Sequence, residues 1–334
     1  MPLRGLLAFI ISIAVTPVIT LGLRRWHVLD VPNGRSMHRL ATPRGGGLGI
    51  AIAVTLTVAL GPELSGVSRA SLLMCGVAVG LVGLLEDVVG VSALRRLPLL
   101  FAAAALALPW TFKTFHGGLA WHVAFGVAMV VWIVSYTNAF NFMDGINGLA
   151  AGQAVVAAGA WYLVGRSEGV AWLSAMALIV GGAALGFLPW NVPRARVFLG
   201  DVGSYFFGAT LAVMAVEALR SGIPFEAVVA PFAVFLADTG VTLVRRIARG
   251  EVWFEPHREH VYQRLTTQLA GSHTRATVGL VIVMAVCSAL GALSLAGSLQ
   301  LRLLGDLGVA AVLAAYLAAP SLVGRVRRRQ PAIA

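Results

Sequence analysis

Apolar residues run along this chain in unbroken blocks, not in the alternation of a half-buried strand or the one-sided stripe of a surface helix. Eleven blocks stand at about 5–23, 46–62, 70–85, 97–112, 120–137, 148–165, 171–189, 202–219, 224–244, 276–297 and 302–320. Each approaches the roughly 20 residues that a helix needs to cross about 30 Å of hydrocarbon. The pattern predicts an all-α, polytopic integral membrane protein with about eleven transmembrane helices. The first block contains Pro17, lacks a small-x-small cleavage site and is followed by Arg24 and Arg25. It therefore reads as a retained span rather than a signal peptide.

Composition agrees. Of 334 residues, 58% are hydrophobic and 12% charged, with a mean hydropathy of +0.86. These values exclude an ordinary soluble domain. Cys75 and Cys287 both fall inside apolar blocks, where neither a disulfide framework nor a CxxC metal site is available. The net charge of +11 raises nucleic acid as a partner, but no basic helix or aromatic-interleaved patch supports one. Membrane topology accounts for the charge better. On the side reached after the first span lie 19 of the 25 basic residues; Arg4, Arg69, Lys113, Arg166, Arg220 and Arg302 lie on the other. The positive-inside rule then puts the N-terminus outside and the C-terminus in the cytoplasm. Of six aspartates, only Asp306 is away from the basic side. The chain reads as one domain over 1–334, with its longest polar loop at 245–275 and a basic cytoplasmic tail at 321–334, suited to anionic headgroups.

Four polar clusters fall on that face. "DVPNGRSMHRLATPRGGGLGI" carries His38 and Arg44 before a run of glycines. A dinucleotide fingerprint would need a strand and a βαβ unit around it, and neither is present. The glycines either let helices pack closely or, beside the cations, help to hold phosphate. "GLLEDVVGVSALRRL" supplies Glu86, Asp87 and Arg96. "NAFNFMDGINGL" packs Asn138, Asn141, Asp144 and Asn147 between two spans; if helical, 138, 141 and 145 share a face. "FLGDVGS" places Asp201 where a span begins, a position that suits either a helix N-terminus or a metal ligand. Oxygen donors without cysteine point to a hard ion, Mg²⁺ or Mn²⁺, which takes one or two carboxylates together with substrate phosphates. The loop "EPHREHVYQRL" adds Arg258 and His260, facing phosphate or sugar hydroxyls; a zinc site would lack further ligands.

From about residue 28 to 265, these clusters in this order resemble the polyprenyl-phosphate N-acetylhexosamine-1-phosphate transferases. That superfamily includes the phospho-MurNAc-pentapeptide translocases and the initiators of O-antigen and teichoic-acid synthesis. The resemblance implies transfer of sugar-1-phosphate from a UDP-N-acetylhexosamine to undecaprenyl phosphate with release of UMP, within a chain that can associate as a homodimer. It implies Mg²⁺ on Asn141 and Asp201, nucleoside near Asp144 and Asn147, and Glu86 and Asp87 activating or positioning the lipid phosphate. Asp87, Glu86 and Asp144 are the catalytic candidates, with attack either directly by the lipid phosphate or through a covalent intermediate on Asp87 or Asp144. Arg258 and His260 would then recognise sugar and diphosphate, with Arg44, His38, Arg96 and Asn138 as further substrate contacts. Two departures stand out. Glu86 replaces the usual first aspartate of the pair, and the histidine run of the loop is reduced to "HREHVY", a form closer to enzymes that handle 6-deoxy sugars such as FucNAc or QuiNAc. The rival reading is an ion-coupled secondary transporter; it would release no UMP, and the clustering of acids at one face rather than mid-membrane argues against it.

Overall fold

The computed structural model describes residues 2–32, 40–61, 69–109, 118–252, 257–269 and 271–329. Its helices are α1 (Pro2–Arg25), α2 (Gly47–Leu60), α3 (Arg69–Val89), α4 (Ala93–Ala105), α5 (Leu119–Met143), α6 (Leu149–Ser167), α7 (Ala171–Asn191) and α8 (Gly200–Arg220). They continue as α9 (Phe225–Val229), α10 (Ala233–Ala248), α11 (Val261–Gln268), α12 (His273–Gly291) and α13 (Leu299–Arg329). A two-residue strand β1 (Leu29–Asp30) pairs antiparallel with β2 (Thr42–Pro43). Apart from this hairpin the described residues build no sheet, as expected where every backbone group must be satisfied within its own segment.

All eleven predicted blocks carry helix. Among the described residues eight helical stretches are long and apolar enough to cross a membrane. The other three fall short of that standard for different reasons: α2 and α4 have 14 and 13 residues, and α6, at 19, carries Gln153 and a polar end. The chain is a multi-pass membrane protein by these spans. Its exterior agrees: Leu3, Leu7, Ile10 and Val18 on α1, and Val278, Ile282 and Val286 on α12, all point outward.

The most enclosed helix is α8, with 94% of its apolar window buried. It packs against α3, α5 and α2, while α1 lies on α7 and α2. Small residues make this approach feasible. A Cβ on Gly47 would fall 2.2 Å from the Cα of Gly203, and one on Gly83 would fall 2.2 Å from the carbonyl oxygen of Asp201. On the other side of α8, an aromatic cluster fills the core, with Tyr136 and Phe232 ring centres 4.2 Å apart. Pro231 interrupts the span Phe225–Ala248 with a 3₁₀ turn. Side chains of α6 serve the carbonyls freed there: Gln153 Nε2 donates to Pro231 O at 3.3 Å and Trp161 Nε1 to Val228 O at 3.2 Å.

The helical reading of the asparagine-rich stretch holds only in part. Asn138 and Asn141 lie on α5, but α5 ends at Met143, so Gly145 does not share their helical face. Asp144 leaves the helical region, and Gly148 at φ +79° turns the chain into α6. Glycine accepts that left-handed backbone without steric cost.

Candidate active site

The hairpin positions the first functional side chain. Phe198 N donates to Pro43 O at 2.8 Å, and Gly46 N and Gly47 N donate to Phe198 O and Leu199 O at 2.9 and 2.8 Å. The segment before α8 is thereby sewn to the segment before α2, and Arg44 is left beside the start of α8. Its guanidinium bridges two carboxylates: Nε to Asp87 Oδ1 at 2.7 Å and Nη2 to Asp201 Oδ2 at 2.8 Å. Burial works against the Arg44 charge, but Asp201 and Asp87 more than offset it and hold the guanidinium firmly protonated.

Asp87 arrives from the last turn of α3. Its Oδ1 accepts from Asp201 N and its Oδ2 from Val202 N, both at 2.9 Å, so it closes the open N-terminus of α8 from another helix. Together with Arg44 Nε, three donors hold its two oxygens, and its side chain is 1% exposed. Gly200, at φ +74°, permits the arrangement, since a Cβ there would stand 2.6 Å from Asp87 Oδ2.

Asp201 is shared between Arg44 and α5. Asn141 Nδ2 donates to Asp201 Oδ1 at 2.7 Å and to Ser204 Oγ at 2.9 Å. Asp144 stands close enough for Asp201, Asp87 and Arg44 all to act on its charge. Among the described residues, no hydrogen bond or ion pair engages its carboxylate. Withdrawal from water pushes that carboxyl well above the usual range, with Asp201 and Asp87 adding to the shift and Arg44 opposing it. Glu86 faces a different way: Oε2 accepts from Val91 N at 2.9 Å and Oε1 lies 3.5 Å from Arg96 Nη1. Arg96 also stacks over the Tyr205 ring at 5.7 Å.

Asn147 joins the turn to other helices. Its Nδ2 donates to Pro193 O at 3.1 Å, its backbone N to His273 Nδ1 at 3.3 Å, and its carbonyl accepts from Thr277 at 2.8 Å. Asn138 Nδ2 donates to Val134 O, one turn back on α5. His38 lies outside the described residues.

The 257–264 segment docks on the same turn. Tyr262 OH donates to Phe142 O at 3.0 Å, between Asn141 and Asp144. His260 is buried, with Nδ1 3.0 Å from Asp238 Oδ1. Arg258 lies in a separate, cationic cavity of about 250 Å³ lined also by Thr242, Arg245, Arg249, Glu259 and Arg264. Hence the structure brings Arg44, Asp87, Asn141, Asp144 and Asp201 into one centre. It places Glu86 with Arg96 beside that centre, and His260 behind the turn. Tyr262 was not singled out from the sequence; nothing in its local pattern distinguishes it from the other tyrosines.

No three His, Cys, Asp or Glu residues among those described gather closely enough to hold a metal alone. Among the described residues, then, no third ligand joins His257 and His260, whose rings are 4.8 Å apart, in a zinc cage. The arrangement is compatible with Mg²⁺, which relies on few protein oxygens, and the unpartnered Asp144 carboxylate beside Asp201 and Asn141 is a donor set of the right hardness.

A family model described as glycosyl transferase family 4 matches residues 69–219, the stretch holding Glu86, Asp87, the asparagine-rich turn and Asp201. The decaprenyl-phosphate N-acetylglucosaminephosphotransferase of Mycolicibacterium smegmatis is 32% identical over 324 residues, covering 83% of this chain and 77% of the relative. A probable undecaprenyl-phosphate N-acetylglucosaminyl 1-phosphate transferase of Bacillus subtilis is 29% identical over 282 residues, covering 79% and 77%. A phospho-N-acetylmuramoyl-pentapeptide-transferase of Geobacillus kaustophilus is 31% identical over 234 residues, covering 63% and 72%. The family model spans the carboxylate centre, the Mycolicibacterium smegmatis relative covers most of both chains, and the chain belongs to glycosyl transferase family 4, the superfamily of polyprenyl-phosphate N-acetylhexosamine-1-phosphate transferases.

Proposed function

We propose that this protein transfers an N-acetylhexosamine-1-phosphate from a UDP-sugar to undecaprenyl phosphate at the cytoplasmic face of the bacterial inner membrane, initiating a cell-envelope glycan such as O-antigen. The observation that carries this reading is the centre in which Arg44 ties Asp87 to Asp201, with Asn141 and Asp144 alongside, at one end of a membrane bundle. The relatives named above, which act on polyprenyl phosphates, support the same chemistry.

Both reactants are anions, so the approach of lipid phosphate to the β-phosphorus must overcome Coulomb repulsion. An oxygen of the lipid phosphate forms the new bond to the β-phosphorus; the bond from that phosphorus to the bridging oxygen breaks, and UMP leaves with that oxygen. Arg44, fixed by two carboxylates, supplies a positive charge that needs no reorientation during the reaction. Asp201 and Asn141 would hold Mg²⁺, or Mn²⁺, and the ion would neutralise and align the phosphates. Asp144 is the carboxylate left available to the substrates. Asp87, with both oxygens held by backbone N–H groups and Arg44, is better suited to shaping the start of α8 than to attacking phosphorus. That speaks against a covalent intermediate on Asp87 and leaves direct attack by the lipid, which we favour, against a covalent intermediate on Asp144, which trapping of labelled protein without lipid would reveal. Glu86 and Arg96 border the same centre on the side where the lipid phosphate would lie, and Asn147 borders the nucleoside side. Arg258 and His260 are the residues of the 257–264 segment that we assign to recognition of sugar and diphosphate.

The donor is UDP-GlcNAc or a 6-deoxy relative, UDP-FucNAc or UDP-QuiNAc. The names of the relatives favour the first, and the "HREHVY" stretch favours the second. The test is UMP release from purified protein with undecaprenyl phosphate and Mg²⁺, run with each UDP-sugar and with Asp201→Ala. Metal-dependent release that disappears in the variant is expected. Absence of release with every sugar, from folded protein, would overturn the reading and restore the transporter alternative.

A further inference from the structure

A second aspartate does for the loop what Asp87 does for α8. Asp238 belongs to α10 and is fully buried. Its Oδ1 accepts from Val261 N at 3.0 Å and its Oδ2 from Tyr262 N at 3.0 Å, closing the N-terminus of α11 from a different helix. The same carboxylate faces His260 Nδ1 at 3.0 Å, Thr242 Oγ1 at 3.3 Å and the Tyr316 hydroxyl of α13. Five groups thus converge on two oxygens. Because a carboxylate in this setting only accepts, the His260 nitrogen facing it must carry the hydrogen.

We infer that Asp238 is a positioning residue that locks His260 in the tautomer with hydrogen on Nδ1, so that Nε2 is presented as an acceptor. An Nε2 acceptor suits a hydroxyl or amide N–H of the sugar, the donor groups of an N-acetylhexosamine. Among the described residues no hydrogen bond engages Nε2. The lock is connected to the carboxylate centre, because α11 is pinned at its start by Asp238 and, one residue on, by Tyr262 to Phe142 O. Loss of the Asp238 charge would therefore loosen the loop that faces the donor sugar while leaving Arg44, Asp87 and Asp201 in place. The kinetic half of this inference rests on the transferase reading; the tautomer half does not.

The experiment is ¹⁵N NMR on full-length protein labelled at histidine in detergent micelles, with His260→Gln assigning the resonance. A hydrogen on Nδ1 and a bare Nε2 are expected in the neutral ring, read on the alkaline side of its titration, and a hydrogen on Nε2 with a bare Nδ1 would overturn the inference without any variant at Asp238. In the UMP-release assay, Asp238→Asn is expected to raise KM for the nucleotide sugar about tenfold while kcat falls less than about threefold, the pattern of lost ground-state binding. An equal fall in kcat and kcat/KM would also overturn it, since that would place Asp238 in the chemical step. Tyr316→Phe, which removes one donor and leaves both backbone caps, is expected to keep the His260 tautomer; a changed tautomer there would assign the lock to Tyr316 instead. Failure of the wild-type enzyme to release UMP would sink the function proposed above and leave the tautomer result standing.

Discussion

Asp87 and Asp144 carry the same functional group within one centre, yet their surroundings divide their work. Asp87 satisfies two backbone N–H groups and Arg44, so Asp87→Ala leaves buried donors unpaired at the start of α8. A loss of about 3 kcal/mol is expected from such orphaned groups, read as a clear fall in the thermal midpoint in detergent. Asp144 satisfies no neighbour among the described residues, so Asp144→Ala is expected to leave stability within about 0.5 kcal/mol while abolishing UMP release. Equal destabilisation by the two variants would contradict this division. His257 offers a pH test. Burial, with the Arg246 charge adding, pushes its imidazole down to about 4, below the usual 6.5. The unfolded chain then binds more protons than the folded one between those values, so this residue's contribution to stability is full above pH 6.5 and is lost as the pH falls towards 4. His257→Gln is expected to flatten the acid side of the melting profile in that window, and an unchanged slope would refute the assignment.

Element by element, the helices were legible because lipid leaves the backbone few alternatives, and long apolar blocks report them directly. The site was legible as residue types: Asn141, Asp144 and Asp201 stand out because acids and amides are rare among such blocks. What the sequence does not carry is which neighbour each carboxylate serves. The two acids at 86 and 87 are adjacent, yet one turns to its own loop and Arg96 while the other reaches across to α8, a choice made by the packing of α3 on α8. Asp238 was visible as an acid near the basic side at the head of a stretch that resembles the family, but not as a cap, because the backbone N–H groups it serves lie 23 and 24 residues away. The glycines of "GGGLG", open to two readings, prove to serve close packing at Gly47 against Gly203. The α3–α8 contact makes its own prediction. Gly83→Ala puts a Cβ 2.2 Å from the Asp201 carbonyl oxygen, an atom of the backbone that cannot swing aside. Displacement of α3 from α8 is expected, costing about 1–3 kcal/mol as overpacking and moving Asp87 away from its N–H partners. Normal stability with normal activity would show that the helices are not in the close register described.

Across the whole molecule, the sequence assigns 19 of the 25 basic residues to the side of the carboxylate centre, and the proposed orientation can be read with cysteine labelling. Both native cysteines are buried and supply little background. With an impermeant thiol reagent, Glu168→Cys between α6 and α7 is expected to react from outside intact cells, and Thr267→Cys at the end of α11 only after lysis. The reverse pattern would invert the topology. The cap that Asp87 provides to α8 also has a consequence for biosynthesis. Its two N–H partners lie 114 and 115 residues further along the chain. At roughly 5–20 residues per second, α3 waits about ten seconds at the translocon before α8 is made. Arg44, already synthesised, is the cation at hand to neutralise Asp87 during that interval. The ion pair that later steadies the reaction centre would then first act as an escort, keeping a membrane-embedded charge silent until the helix it is meant to complete has been inserted.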